Sequence, residues 1–241
     1  MLVSPSAYLR LLLAATRSIS AHYACTPPNP APSLDDQLQY KSRKVSHFGE
    51  QGFDIVKAVT LAKYMIHMTT VMELATILVA GNMRYTLPWI TERSHAETVT
   101  VSTGLVTGTL LMIVGTLIRV ASYRQLGRHF TFQLSINKDH RLITDGPYRI
   151  VRHPSYTGVL SFFLGVIMTQ VASGSLWRLF GLWRHPAGIT FGVAQFGLLL
   201  YVGVVVIMRA SKEDEVLREK FKEGWDEWAR RTPYRLIPYV Y

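Results

Sequence analysis

The sequence predicts an all-α, polytopic integral membrane protein, a helical bundle of four to five spans. Three observations carry that reading. Apolar residues make up 49% of the 241-residue chain and charged residues only 17%, below the share of about 25% usual in soluble domains. The charges are clustered, which leaves long stretches with none. The net charge of +10 is distributed unevenly among the segments joining the apolar runs, the pattern that membrane orientation imposes. The single cysteine, Cys25, excludes an internal disulfide framework and a cysteine-based metal site, and no metal site is expected.

Residues 1–24 contain a short apolar core, Leu9–Ala15, interrupted by Arg10 and followed by Arg17. A secretory signal has a longer unbroken apolar region, so the segment reads as an interfacial or poorly spanning helix. Residues 25–54 are first rich in proline and then polar with glycines, the composition of a linker that buries little apolar surface. Four spans follow. The first, Ile55–Gly81, carries Lys57, Lys63 and Glu73; the second, Val99–Ile118, runs twenty residues without a charge; the third is Tyr156–Ser173, and the fourth, Gly188–Met208, is again uncharged.

A bilayer core takes about 20 apolar residues per helix, which the second and fourth spans satisfy. The third is short and the first impure. Lys57 and Lys63 lie near one end, where their stems can snorkel, whereas Glu73 requires a partner or an aqueous cavity. In the second span Gly104-x-x-x-Gly108, with Gly115 beyond, permits close helix contact. Segment 174–187, GSLWRLFGLWRHPA, reads as an interfacial loop with tryptophan anchors.

Basic residues number three in 25–54, seven in 119–156 and eight in 209–241, against two each in 82–98 and 174–187. The N- and C-terminal flanks and the 119–156 loop are therefore expected on the cytosolic side of the bilayer and the sparse loops opposite. This placement accounts for the basic balance. No nucleic-acid partner is expected, because no RNA- or DNA-binding motif accompanies it.

Two stretches carry more chemistry than a bundle needs. Gly146–Gly158, GPYRIVRHPSYTG, sets Arg149, Arg152, His153 and Tyr156 beside two prolines at the mouth of the third span. Pro147 and Pro154 fix φ, and Gly146 and Gly158 permit tight backbone approach. Beyond the fourth span, Ser211–Asp214 fits a capping box for a helix starting there; continuation of the membrane helix fits equally well. Leu217, Phe221, Trp225 and Trp228 recur at helical spacing, which by itself marks only an amphipathic surface helix. Thr232-Pro233 ends or bends that helix. One continuous helix would hold Glu213 and Arg231 roughly 27 Å apart. For both to serve one site the chain must fold back, and Gly224 is the expected break.

These residues carry a resemblance. His140–Gly158, HRLITDGPYRIVRHPSYTG, resembles the signature of the isoprenylcysteine carboxyl methyltransferases and their bacterial and archaeal relatives. Glu213-Asp214, Leu217, Phe221 with Trp225, and Arg231-Thr-Pro233 resemble the same family's C-terminal motif. The likeness covers about 100 residues, 140–241, and extends to a superfamily that includes phospholipid N-methyltransferases. It divides the chain into an N-terminal helix and linker (1–54), N-terminal spans with a connecting segment (55–139) and a methyltransferase core (140–241).

The resemblance implies S-adenosyl-L-methionine as methyl donor, a prenylated CaaX-type protein or prenylcysteine as acceptor, and the endoplasmic reticulum membrane as location. It also implies a cytosolic cofactor pocket formed by the loop and the C-terminal helices. Carried over by residue, Tyr148, Arg149, Arg152, His153, Pro154, Tyr156 and Gly158 would form the cofactor side, with Glu213 and Asp214. Arg231 would bind the substrate carboxylate, flanked by Trp225 and Trp228, and act with Glu213 in catalysis. The chain departs from the pattern in having Glu-Asp for the Glu-Glu pair, an apparent insertion at 174–187, and a short, weakly hydrophobic region before residue 99.

The chemistry suits these residue types. A cysteine α-carboxylate, with a reference pKa of about 3.5, is ionised at neutral pH, so it needs positioning and partial desolvation more than a base. A guanidinium grips a carboxylate through two parallel bonds, the role implied for Arg231. Glu213 can neutralise the cofactor's ammonium or accept bonds from its ribose hydroxyls. His153 can serve the cofactor or the loop backbone, or simply cap the third span. The alternatives are phospholipid N-methylation, where an arginine would repel a protonated amine acceptor, and a non-catalytic scaffold or reductase-like relative.

Overall fold

The computed structural model describes residues 5–31, 54–82, 101–130, 132, 141–179 and 181–240. The polar part of the linker and the 82–98 loop fall largely outside them. The described structure is all-helical. In chain order the helices are α1 (Pro5–Cys25), α2 (Ile55–Asn82), α3 (Thr103–Leu126), α4 (Pro154–Val171), a single turn α5 (Leu176–Leu179), α6 (Pro186–Phe221) and α7 (Glu223–Arg231).

Local sequence explains the starts. The Asp54 carboxylate accepts from Val56 N at 2.8 Å at the head of α2, and Ser102 Oγ accepts from Leu105 N at 3.4 Å at the head of α3, each satisfying an amide that has no intrahelical partner. Pro154 and Pro186 open α4 and α6, where a missing N–H costs nothing.

Among the described residues, three stretches are long and apolar enough to cross a membrane: Thr103–His129, Pro154–Arg178 and Pro186–Phe221. They correspond to three of the four spans expected. The fourth, the charge-bearing one, forms the 28-residue helix α2. At 36 residues, α6 is roughly 54 Å long and outruns a hydrocarbon core of about 30 Å. Its last turns, from Arg209 onward, are the charged ones. Ser211 therefore lies inside a continuing helix and starts none.

The break falls elsewhere than expected. Gly224 sits within α7 and is exposed. The turn is made by Lys222, at φ 47° and ψ −119°, whose N–H bonds back to Arg218 O while its carbonyl accepts from Trp225 and Asp226. One residue thus ends α6 and starts α7, and the position is set by those bonds, not by the most flexible residue nearby.

The chain forms two compact units: Met1–Tyr23, Ala62–Val114 and Ser161–Leu199 in the first, and Ala24–Leu61, Gly115–Leu160 and Leu200–Tyr241 in the second. Each draws on all three sequential stretches 1–54, 55–139 and 140–241.

In the first unit α1 buries both of its arginines. Arg10 Nη2 and Arg17 Nη2 donate to the two oxygens of Glu73 at 2.7 and 2.5 Å, so the carboxylate of α2 finds its partners on α1. A Cβ on Gly108 would lie 2.8 Å from Gly165 O; only glycine allows α3 and α4 that approach. Trp177 is buried, at 2% exposure, and stacks on Trp183 and Phe191. It is a core residue and not the interfacial anchor expected.

Candidate functional site

The second unit brings the Gly146–Gly158 loop and the C-terminal tail together. The backbone N–H groups of Arg152 and His153 donate to Tyr234 O and Arg235 O, each at 2.9 Å. Arg152 Nη1 donates to Thr232 O at 2.9 Å and Pro233 O at 2.7 Å, Thr157 Oγ1 to Leu236 O at 2.5 Å, and Trp228 Nε1 to Tyr148 O at 3.2 Å. The turn at Lys222 reverses the chain so that residues 232–236 bond along the loop. Proline 233 keeps that segment out of the helix and leaves its carbonyls free to accept.

Around this junction lies an ionic network. His153 Nε2 meets Asp214 Oδ1 at 2.9 Å and its Nδ1 lies 3.4 Å from Glu213 Oε2. Asp214 Oδ2 accepts from Arg152 Nε and Arg235 Nε, both at 3.1 Å. Glu213 Oε1 accepts from the Tyr156 hydroxyl at 2.6 Å and Arg209 Nε at 3.1 Å. The Tyr156 ring stacks on His153, with centroids 5.6 Å apart. Burial opposes protonation of His153, but its hydrogen bonds to Asp214 and Glu213 outweigh that and raise its pKa above the ordinary histidine value, because each carboxylate favours the charged ring. Burial, reinforced by the Glu213 charge, drives the Tyr148 phenol far above its usual range, so it stays a neutral hydroxyl.

The two acids differ in access. The Asp214 side chain is 4% exposed and Glu213 is 23% exposed, opening onto a cavity of about 170 Å³. Tyr148, Arg152, His153, Tyr156, Glu213 and Trp228 all line this cavity. Leu217 of the C-terminal motif lines it too, whereas Asp214, Pro154, Gly158, Trp225, Arg149 and Arg231 do not. Asp214 sits behind the wall, holding Arg152 and His153. Pro154 starts α4. Gly158 is a packing residue, since a Cβ there would lie 2.6 Å from Gly115 O. Trp225 lies under the Arg152 guanidinium, 5.7 Å from its ring centre. Arg149 is exposed.

Arg231 is exposed as well, with a side chain 67% accessible and paired only loosely with Glu227 at 3.9 Å. It lies at the end of α7 and does not reach the cavity lining, which is the main departure from the expected site.

The wall contains cations that sequence reasoning assigned only to membrane orientation: Arg119, Arg141 and Arg209. Arg119 is buried at 4% and donates to Ala24 O at 2.7 Å and to Ser155 O and Oγ at 3.0 and 3.2 Å. Arg209 donates to Phe132 O as well as Glu213. The signal of Arg119 and Arg209 was position: each stands within a turn of the edge of an uncharged run, where a charge that does not face water needs a partner. Apart from His129 and Ser155, the rest of the wall is apolar, including Val159, Val202, Val206 and Phe130. Such a donor set fits a zwitterionic ligand with a flat aromatic part, with Glu213 for a cationic group and the arginines for an anionic one.

Fold and site thus define a multi-span helical membrane protein with an ionic, partly apolar cavity lined in part by its C-terminal helices α6 and α7. A family model described as phospholipid methyltransferase matches residues 103–184. Protein-S-isoprenylcysteine O-methyltransferase B of Arabidopsis thaliana is 30% identical over 135 residues, 55% of this chain and 58% of that protein. The protein-S-isoprenylcysteine O-methyltransferase of Schizosaccharomyces pombe is 36% identical over 124 residues, 51% and 44% of the two chains. Delta(14)-sterol reductase TM7SF2 of Mus musculus is 29% identical over 101 residues, 42% of this chain and 20% of the reductase. The chain spans less than two thirds of each of these relatives, and its likeness is shared between membrane methyltransferases and sterol reductases.

Proposed function

We propose that the protein is an S-adenosyl-L-methionine-dependent membrane methyltransferase acting on the carboxylate of a prenylated cysteine, at the cytosolic face of the endoplasmic reticulum membrane. The observation that carries this reading is one accessible carboxylate, Glu213, in a cavity wall otherwise cationic and apolar. Glu213 would hold the cofactor's ammonium or ribose hydroxyls, and Tyr156, His153 and Arg209 fix its rotamer. Trp228 and the neighbouring apolar wall would take the adenine. When bound, the cofactor supplies an electrophilic methyl group on a sulfonium.

The acceptor is an anion already ionised at neutral pH, so the chain's task is to position it and exclude water. Arg209, which lines the cavity beside Glu213, takes the carboxylate-binding role that the resemblance implied for Arg231. The valines of α4 and α6 would take the prenyl chain, whose burial contributes about 0.8 kcal/mol per CH₂. Arg209→Ala is expected to lower methyl transfer more than tenfold, about 1.4 kcal/mol, with Arg231→Ala near wild type; the reverse ranking returns the role to Arg231.

A second reading, methylation of a phospholipid amine, is favoured by the family match over residues 103–184 and opposed by the arginines of the wall, which would repel a protonated amine. The test is transfer of radiolabelled methyl by purified protein in lipid nanodiscs to N-acetyl-S-farnesylcysteine or to phosphatidylethanolamine. Label in the farnesylcysteine alone is expected. Label in the phospholipid alone establishes the second reading. Binding of a reduced nicotinamide without binding of S-adenosyl-L-methionine, by calorimetry, moves the protein toward the reductases.

A further inference from the structure

The first unit holds a second, smaller cavity of about 30 Å³, room enough for a water or a small ion. It is lined by Arg17 and Glu73, by Thr169 and Gln170 of α4, and by Ser175 and Trp177 of the 174–187 segment. What these groups offer is lopsided. Glu73 accepts a guanidinium bond on each oxygen. Thr169 Oγ1 donates to Val166 O at 2.8 Å and so spends its proton on the helix. The Trp177 Nε1–H is buried without a hydrogen-bond partner, on a side chain only 2% exposed. The Arg17 guanidinium, whose residue is 7% exposed, lines the same cavity.

A buried indole N–H left unpaired costs about 1–3 kcal/mol, and such groups are ordinarily satisfied by protein or by something bound. An indole can only donate and a guanidinium can only donate, so the complement they ask for is an acceptor. Gln170 fits the same demand. Its Nε2 bonds Gln195 Oε1 at 2.9 Å while Gln170 Oε1 and Gln195 Nε2 are left unpaired. Amide oxygen and nitrogen are interchangeable assignments, and turning both amides keeps the bond while presenting the Gln170 NH₂ to the cavity as a third donor.

We infer that this cavity is a binding site for a small monatomic anion of the halide class, held by the Trp177 indole N–H, the Arg17 guanidinium and the Gln170 amide. The site gives the 174–187 segment a purpose apart from the methyl-transfer cavity: it carries Trp177 over the Arg17–Glu73 pair, and the stacking of Trp177 on Trp183 and Phe191 fixes the direction of the N–H.

The test uses the full-length protein in detergent at constant ionic strength, with sodium chloride or bromide exchanged against sodium gluconate, whose anion is too large to enter. Melting temperature is expected to rise saturably with chloride, and bromide to quench a saturable part of the tryptophan fluorescence. Trp177→Phe, which keeps the aromatic stack and removes the donor, should abolish the saturable quenching and weaken the chloride response at least tenfold. Gln170→Leu, which removes the amide without altering the fluorophore, should shift half-saturation to higher bromide. Superimposable melting curves in chloride and gluconate together with linear, Trp177-independent quenching overturn the proposal and leave the cavity to water.

Discussion

Glu73 and Glu213 are both carboxylates held against arginines on apolar helices, yet they are built for different ends. Glu73 has both oxygens bonded to guanidiniums and a side chain 8% exposed. Glu213 is 23% exposed, shares its oxygens with Tyr156, Arg209 and His153, and borders a cavity of about 170 Å³. The first arrangement leaves the acid nothing to offer a ligand. The second backs the acid with Asp214, which is 4% exposed and takes the bonds that fix Arg152 and His153. Burial plus saturation marks an ion pair that joins α1 to α2; partial exposure plus a rigid support marks a group placed for a ligand.

Substitutions can break this contrast. The largest effect is expected from Glu73→Ala, which strands two buried guanidiniums and should cost about 3–5 kcal/mol of stability, read as loss of folded protein by size-exclusion in detergent. Glu213→Gln should do the opposite. Its melting temperature stays close to wild type, while affinity for S-adenosyl-L-methionine falls about tenfold, or 1.4 kcal/mol, by calorimetry. Equal affinities would remove Glu213 from the cofactor.

Histidine 153 sharpens the comparison through pH. Its folded pKa is raised, so its contribution to stability is fully present below the unfolded value of about 6.5 and is lost as pH rises through the folded pKa. Melting temperature should therefore decline from pH 6.5 upward, and His153→Gln should flatten that decline; an unchanged slope would mean the ring is neutral throughout. The smallest expected effect is a gain. Lys222 holds φ 47° and ψ −119°, a sparsely populated conformation costing a non-glycine residue at least about 1 kcal/mol, and Lys222→Gly should recover roughly that amount in chemical unfolding.

Much of the fold was legible because it follows from local composition. Uncharged runs made α3 and α6 visible, although the prolines that open α4 and α6 stand two residues before the expected starts of those spans, Tyr156 and Gly188. Glu73 was recognised as needing a partner, but α1 could not be named as its source, since Arg10 and Arg17 looked like interruptions of a weak span until a carboxylate stood opposite them. In the candidate site the loop residues and Glu213 were legible as a dense cluster of ionisable types beside an apolar run. Arg119 and Arg209 were not, because a lone arginine at the end of a span is also what membrane orientation produces.

The sequence by itself determined the helical class and the apolar runs, and its candidates from the loop included the four that line the cavity, Tyr148, Arg152, His153 and Tyr156. These depend on short-range properties: hydrophobic length, the fixed φ of proline, and the reach of a helix at a fixed rise per residue. Only the tertiary structure decided that Lys222 makes the turn, that Gly158 packs against Gly115, that Trp177 is core, and that Arg209 faces Glu213 while Arg231 stays in solvent. Each is a matter of which side of a helix meets which neighbour, and pairings far apart in the chain are fixed by mutual packing and by the need of buried charges for partners.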